Sequence, residues 1–302
     1  MRRLVLASSL ALAATAASAQ AADLNNQLGL IVSGVVDQWV GVQTIDGSAP
    51  ESFFGGDDTV FSNGGAGYLS LPLGENLSLQ SDVKYEYNSY ATEAPGDNDV
   101  VGPRYSFTGA GHLSWRDPSL GLFGLFGGAG TTDFTFQRQD VAFVGGEAQV
   151  YLDNITLYAQ GGYVDFDLRN ASGSFLQDGV FVRGVLRWFM ANDSRLQLEG
   201  TYLNVDFANS SNGDMEAVSA GARYDFTLAG LPLFGDVPLF VGYRGIFRDN
   251  CRPQSSTSRY DIDDHTIMIG TSYSFSGDRI AVDRRGATLS TPDFNYSCLV
   301  LG

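Results

Sequence analysis

The sequence predicts an all-β protein, a closed antiparallel up-and-down transmembrane barrel of about twelve strands. Three observations carry this. Polar and apolar residues alternate through most of the chain, most strictly in residues 76 to 88, NLSLQSDVKYEYN. Many of the alternating segments run 10 to 13 residues. Globular strands peak at about 5–6 residues, whereas about 10 tilted residues cross a bilayer. Long polar connections also take turns with tight ones, as the outward loops and periplasmic turns of such barrels do.

Residues 76 to 88 show the rhythm. Leu77, Leu79, Val83, Tyr85 and Tyr87 share one beat, broken by Ser81, while Asn76, Ser78, Gln80, Asp82, Lys84, Glu86 and Asn88 share the other. Successive side chains of a strand point to opposite faces, so the segment has one apolar and one polar wall. The rhythm predicts twelve strands, near 31–44, 65–73, 76–89, 104–115, 120–129, 140–152, 155–167, 179–190, 195–207, 216–227, 238–247 and 263–275. The fifth, SLGLFGLFGGAG, is apolar on both beats, which leaves its facing open. Segments 45–64, 90–103, 130–139, 168–178, 208–215 and 248–262 are long, polar connections. Those between them are tight, except for the longer 228–237. The first connection is long, so the chain starts on the short-turn side, and an even strand count ends it there.

Residues 1–21 have the form of a secretory signal: Arg2 and Arg3, an apolar stretch from Leu4 to Ala17, then small residues suited to cleavage. No later apolar run reaches the ~18 residues of a membrane helix. The 37 glycines, 12% aromatics and only 9 prolines suit many strands and turns rather than disorder. The formal charge is −16, or −18 once Arg2 and Arg3 leave with the signal, which argues against a nucleic-acid partner. Residues 22–275 form one domain, the barrel, and 276–302 a C-terminal tail.

The last predicted strand ends Gly270-Thr271-Ser272-Tyr273-Ser274-Phe275. This resembles the C-terminal β-signal of Gram-negative outer-membrane β-barrel proteins, the porin-like class. The resemblance covers roughly residues 28 to 275. It implies a bacterial outer-membrane location, lipid partners, and recognition by the barrel-assembly machinery through Gly270, Tyr273 and Phe275. It also sets the polar wall inside, with Leu77, Leu79, Val83, Tyr85 and Tyr87 toward lipid. A closed barrel satisfies every backbone amide there. One departure is the tail, which continues past the final aromatic to Gly302. It would extend into the periplasm, plug the lumen or bind a partner.

The same facing places Asp37, Asp82, Lys84, Glu86, Glu147, Arg183, Arg187, Arg223 and Arg244 on the lumen wall, with Arg195, Glu199, Asp225 and Arg248. Arginine dominates one arc and carboxylates the other. The expected function is porin-like passive diffusion of small hydrophilic solutes, with these residues lining the path and their charges solvated by water. The alternatives are a filled barrel whose charges pair with each other, or a non-conducting surface barrel whose acidic outer loops bind ions, lipopolysaccharide or partners. A homo-oligomer is compatible with the lipid face.

No catalytic site, metal or cofactor is expected. His112-Leu113-Ser114 has the His-x-Ser spacing of barrel phospholipases and lipid A deacylases, but both side chains face the lumen near the short-turn side. Asp261, Asp263, Asp264 and His265 read as a solvated acidic rim rather than a protease centre. Two cysteines, Cys251 and Cys298, are expected to be unpaired. A bridge between them would require the tail to thread the barrel.

Overall fold

The computed structural model describes residues 32–47, 58–89, 103–134, 138–169, 176–190, 194–207, 213–231, 235–251, 260–275 and 279–294. The signal segment and Cys298 lie outside them. Twelve antiparallel strands close into one barrel: β1 Ser33–Gly47, β2 Asp58–Pro72, β3 Leu77–Ser89, β4 Pro103–Asp117, β5 Gly121–Phe134, β6 Arg138–Leu152, β7 Ile155–Arg169, β8 Leu176–Met190, β9 Ser194–Phe207, β10 Asp214–Leu231, β11 Gly235–Cys251 and β12 Tyr260–Ser274. Each strand pairs with its sequence neighbours, and β12 closes on β1 with Val35 opposite Ser274.

All twelve predicted strands are present, and most are longer than the alternation indicates. Segment 130–139 is mostly strand, with three residues between β5 and β6, and 228–237 shrinks likewise between β10 and β11. β2 begins seven residues before the predicted Gly65, in Asp58-Thr59-Val60-Phe61-Ser62-Asn63. Polar residues there mimic a loop, but Val60 and Ser62 are buried and Phe61 is exposed, as alternate facing demands.

The apolar wall faces out through most of each strand. Leu79 and Val83 are 41% and 50% exposed, whereas Asp82 is 4% exposed. In β5, Leu122 and Phe126 point inward while Phe123 and Leu125 point outward, which resolves its facing.

The polar interior, however, does not run the full height. Toward the long-connection end the inward residues turn apolar: Val141, Phe143, Val164, Phe166, Phe181, Leu203, Val205, Phe207 and Met215 form one buried core. The outward residues turn polar at the same level. Asp165 and Asp167 flank buried Phe166, and Asp206 lies between buried Val205 and Phe207. Length explains the switch. A 15-residue strand at ~3.3 Å per residue, tilted ~40°, rises ~38 Å, about 13 Å more than the ~25 Å apolar band of such barrels. The surplus stands in water and follows soluble-protein rules, apolar inside and acidic outside.

The tail enters the barrel. After β12, helix α1 (Arg279–Arg285) lies beside β1, and residues 286 to 294 continue without regular structure. Phe294 reaches the apolar core, 4.8 Å from the ring centre of Phe143 and 5.1 Å from that of Phe181. Cys251, at the end of β11, is fully buried and disulfide-bonded. That corrects the expectation of unpaired cysteines. The chain's other cysteine is Cys298. Phe294, four positions before Cys298 in the sequence, shares its core with Cys251.

Gly270 of the terminal signal is there for space. A Cβ would fall 2.1 Å from the Gln38 carbonyl oxygen and 2.5 Å from the Phe240 ring. Gly270→Val is expected to cost about 1–3 kcal/mol through overpacking, measured by denaturant unfolding in lipid vesicles.

Candidate functional site: the lumen and its C-terminal occupant

The short-turn half of the lumen is lined by charged and amide side chains that alternate with the lipid-facing apolar residues. Asp37, Asp82, Glu86, Glu147, Arg183, Arg187 and Arg244 are all buried there, and Lys84 and Arg223 are partly so. The expectation that their charges stand unpaired in water is not what the structure shows. Arg223 donates to Asp37 at 2.6 Å and to Asp225 at 2.8 Å. Asp225 also receives Arg195 at 2.9 Å and Arg279 of α1 at 3.4 Å. Arg183 meets Glu199 at 2.8 Å. Arg244 grips both oxygens of Glu86 at 2.8 Å across the barrel. Burying charge is costly unless it is paired and hydrogen-bonded, and these pairs meet that condition.

His112 sits at the centre of a second cluster. Its Nε2 lies 2.7 Å from Asp82 Oδ1 and its Nδ1 3.0 Å from Glu147 Oε1. Glu147 also accepts from the Tyr158 hydroxyl at 2.7 Å and from Gln160 at 3.2 Å. Both ring nitrogens are thus taken, and Ser114 instead shares a 2.8 Å hydrogen bond with Ser78. The His112–Ser114 geometry needed to activate a serine is not formed. At the other end, buried Asp264 pairs with Arg248 at 2.5 Å, while His265 lies outside against the Tyr243 hydroxyl at 2.8 Å. The rim sequence therefore splits between two faces. Among the described residues no group of three or more His, Cys, Asp or Glu is arranged to hold a metal ion.

The tail completes the polar half. Asp283 accepts from Arg187 at 2.8 Å and from Thr156 at 2.6 Å. Asp293 bridges Lys84 at 2.8 Å and Arg244 at 2.7 Å. Between them, backbone groups of residues 286 to 291 meet wall side chains. Sequence reasoning missed the wall residues Gln80, Arg116, Gln149, Thr156 and Gln160. Their signal was present, since all five fall on the inner beat, but the four neutral amides and hydroxyls were passed over in favour of charges, and Arg116 lies one residue past the predicted strand end at 115.

A cavity of about 460 Å³ remains beside the tail. Its walls include Asp37, Arg195, Glu199, Arg223, Asp236 and Pro238, and its inner side is the tail from Val282 to Asp293. Asp236 and Pro238 lie at the start of β11, so the cavity reaches the short-turn end. Arg244, Lys84 and Asp293 line it at mid-height, below the apolar core.

No known family matches the sequence, and no curated protein does. Solved structures do match. OmpT, an outer membrane protein of Vibrio cholerae, aligns at 8% identity over 80% of this chain and 99% of that one, with a TM-score of 0.40. A FadL homologue of Pseudomonas aeruginosa aligns at 10% identity over 81% and 90%, with a TM-score of 0.42. The translocator domain of the autotransporter NalP from Neisseria meningitidis aligns at 13% identity over 87% and 97%, with a TM-score of 0.39. The twelve strands close without an edge, and an apolar belt faces outward around an enclosed polar lumen. On that architecture the chain has the fold of outer-membrane β-barrel proteins, with its own C-terminal segment lodged in the lumen.

Proposed function

We propose that the protein is a gated channel for small hydrophilic solutes, closed by its tail. The observation that carries this is the division of the lumen. A polar, arginine-rich cavity opens at the short-turn end, and an apolar constriction sealed by Phe294 lies above it. Hydrophobic constrictions gate by excluding water, so moving a few apolar side chains is enough to wet a path. The tail ties the two halves together, with Asp283 and Asp293 in the polar part and Phe294 in the dry part.

Planar-bilayer conductance of the full chain tests this. The oxidised protein is expected to be nearly silent. Phe294→Ser with the disulfide reduced is expected to raise conductance about ten-fold or more, since a polar group in the constriction admits water. Silence of both forms would instead favour a non-conducting surface barrel. The specific observation on that side is that most of the described inner charges are paired and the outer half is packed. The lipid face and the Gly270, Tyr273, Phe275 signal support lipids and the barrel-assembly machinery as partners. No chemistry is assigned to the lumen.

A further inference from the structure

We propose that the polar half of the lumen is a binding site for short peptides that carry two spaced carboxylates, and that the tail is its self-supplied occupant. This names a solute class for the channel proposed above and rests on it for the route of entry. The binding itself does not require conduction.

The first ground is how the wall reads the tail. Six consecutive residues are held through main-chain atoms. Arg116 donates to the Gly286 carbonyl at 2.6 Å, and the Ala287 amide donates to Ser33 at 3.1 Å. Arg187 donates to the Thr288 carbonyl at 2.8 Å. Gln80 holds Leu289 at both ends, donating to its carbonyl at 2.7 Å and accepting from its amide at 3.1 Å. Gln160 and Arg183 each donate to the Ser290 carbonyl at 3.1 Å, and the Thr291 amide donates to Asp82 at 2.7 Å. Side chains of the segment add to this, since Leu289 is buried against Leu122, Tyr158 and Val185, and the Thr288 and Ser290 hydroxyls accept from Arg187 and Arg183. A wall that reaches main-chain groups recognises peptide as such, as strand-addition sites do.

The second ground is charge. Among the described residues, Arg187 and Lys84 pair with no carboxylate of the wall; Asp283 and Asp293 of the tail supply theirs. Most other lumenal cations have a wall carboxylate within 4 Å. Two cation sites are therefore provided for carboxylates that arrive with the occupant. The third ground is room. The cavity beside the tail is bounded by the tail itself, so an incoming chain reaches the same donors without passing through wall.

The test uses the full chain carrying Asp283→Ala and Asp293→Ala, with the disulfide reduced, in detergent micelles. The probe is a fluorescein-labelled synthetic peptide with the sequence of residues 279–294, followed by fluorescence anisotropy. Saturable binding is expected, about ten-fold or more tighter than to the oxidised unaltered protein, whose site is filled. Asn at both Asp positions of the peptide, or Arg187→Ala in the protein, is expected to weaken it by about ten-fold or more. N-methylation of the Leu289 amide in the peptide, which removes a main-chain donor to Gln80 and keeps every side chain, is expected to weaken binding by about ten-fold. Trypsin cleavage at Arg284 and Arg285 reports whether the tail has left. Three results would each overturn the proposal: no saturable binding by a barrel that keeps its folded electrophoretic mobility, binding unchanged by the Leu289 N-methylation, or a tail that stays protected after both carboxylates are removed. A silent bilayer with saturable peptide binding would sink only the channel reading.

Discussion

Arg248→Met is expected to destabilise the barrel by about 3–5 kcal/mol, the cost of stranding a buried charge. Arg248 and Asp264 have side chains only 3% and 4% exposed, on neighbouring strands β11 and β12. Their surroundings are dry, because Ile246, Ile262 and Cys251 of the same strands belong to the apolar core. Asp264 already has one oxygen without a partner, so the Arg248 contact at 2.5 Å is its main compensation. Methionine keeps the volume and removes the charge, leaving a lone carboxylate with no water. The partner substitution separates charge from packing. Arg248→Met with Asp264→Leu is expected to recover most of the loss, since a buried pair replaced by apolar residues of similar volume is often neutral or better. Denaturant titration of the protein in lipid vesicles measures all three forms. A single variant within about 1 kcal/mol of the parent would mean that water reaches this level of the lumen, and the dry constriction would be wrong.

The barrel was legible because membrane strands obey one local rule over long distances. Each strand of a closed antiparallel barrel is exposed to lipid on one side, so its alternation depends on nothing beyond itself. Residues 76 to 88 needed only their own order to put Asp82 and Val83 on opposite walls, and the resemblance of the last strand then set the polar wall inside. The rule misled where its premise ends. Above the apolar band, water replaces lipid, and the same parity sends Phe166 inside and Asp167 outside. The alternation persists there with reversed polarity, and a window crossing the switch, as in β2, loses contrast and resembles a loop.

The site was less legible, for a different reason. Pairing is a long-range fact. Arg244 and Glu86 are 158 positions apart, and nothing local says that they meet. The sequence placed arginines on one arc of the lumen and carboxylates on the other. The structure has that distribution, but the Arg244–Glu86 and Arg223–Asp37 contacts bring the two together, and the tail brings carboxylates of its own. Asp283 and Asp293 gave no sign of this, since a polar segment beyond the final strand has no periodicity to fix where it lies. The pair of cysteines was the available hint. In an oxidising compartment, one in the last outward connection and one near the end of the tail have a topological consequence that hydropathy does not.

Val83→Arg tests the placement of the lipid face itself. Val83 is the central residue of β3 and is 50% exposed. On the outside of a barrel at mid-height that exposure is to hydrocarbon, and arginine there costs about 2–4 kcal/mol. Leu77 begins the same strand at the short-turn end and is 42% exposed, almost as much. If exposure alone set the cost, the two substitutions would match. Depth decides instead: near the interface the arginine reaches headgroups and water, so Leu77→Arg is expected to cost about 0–1 kcal/mol. Folding equilibria of both variants in vesicles give the difference directly. In a water-soluble barrel both arginines would sit on a hydrated surface and neither would be costly. A Val83→Arg variant as stable as the parent would therefore remove the bilayer from around this belt, and with it the reason for enclosing so much charge.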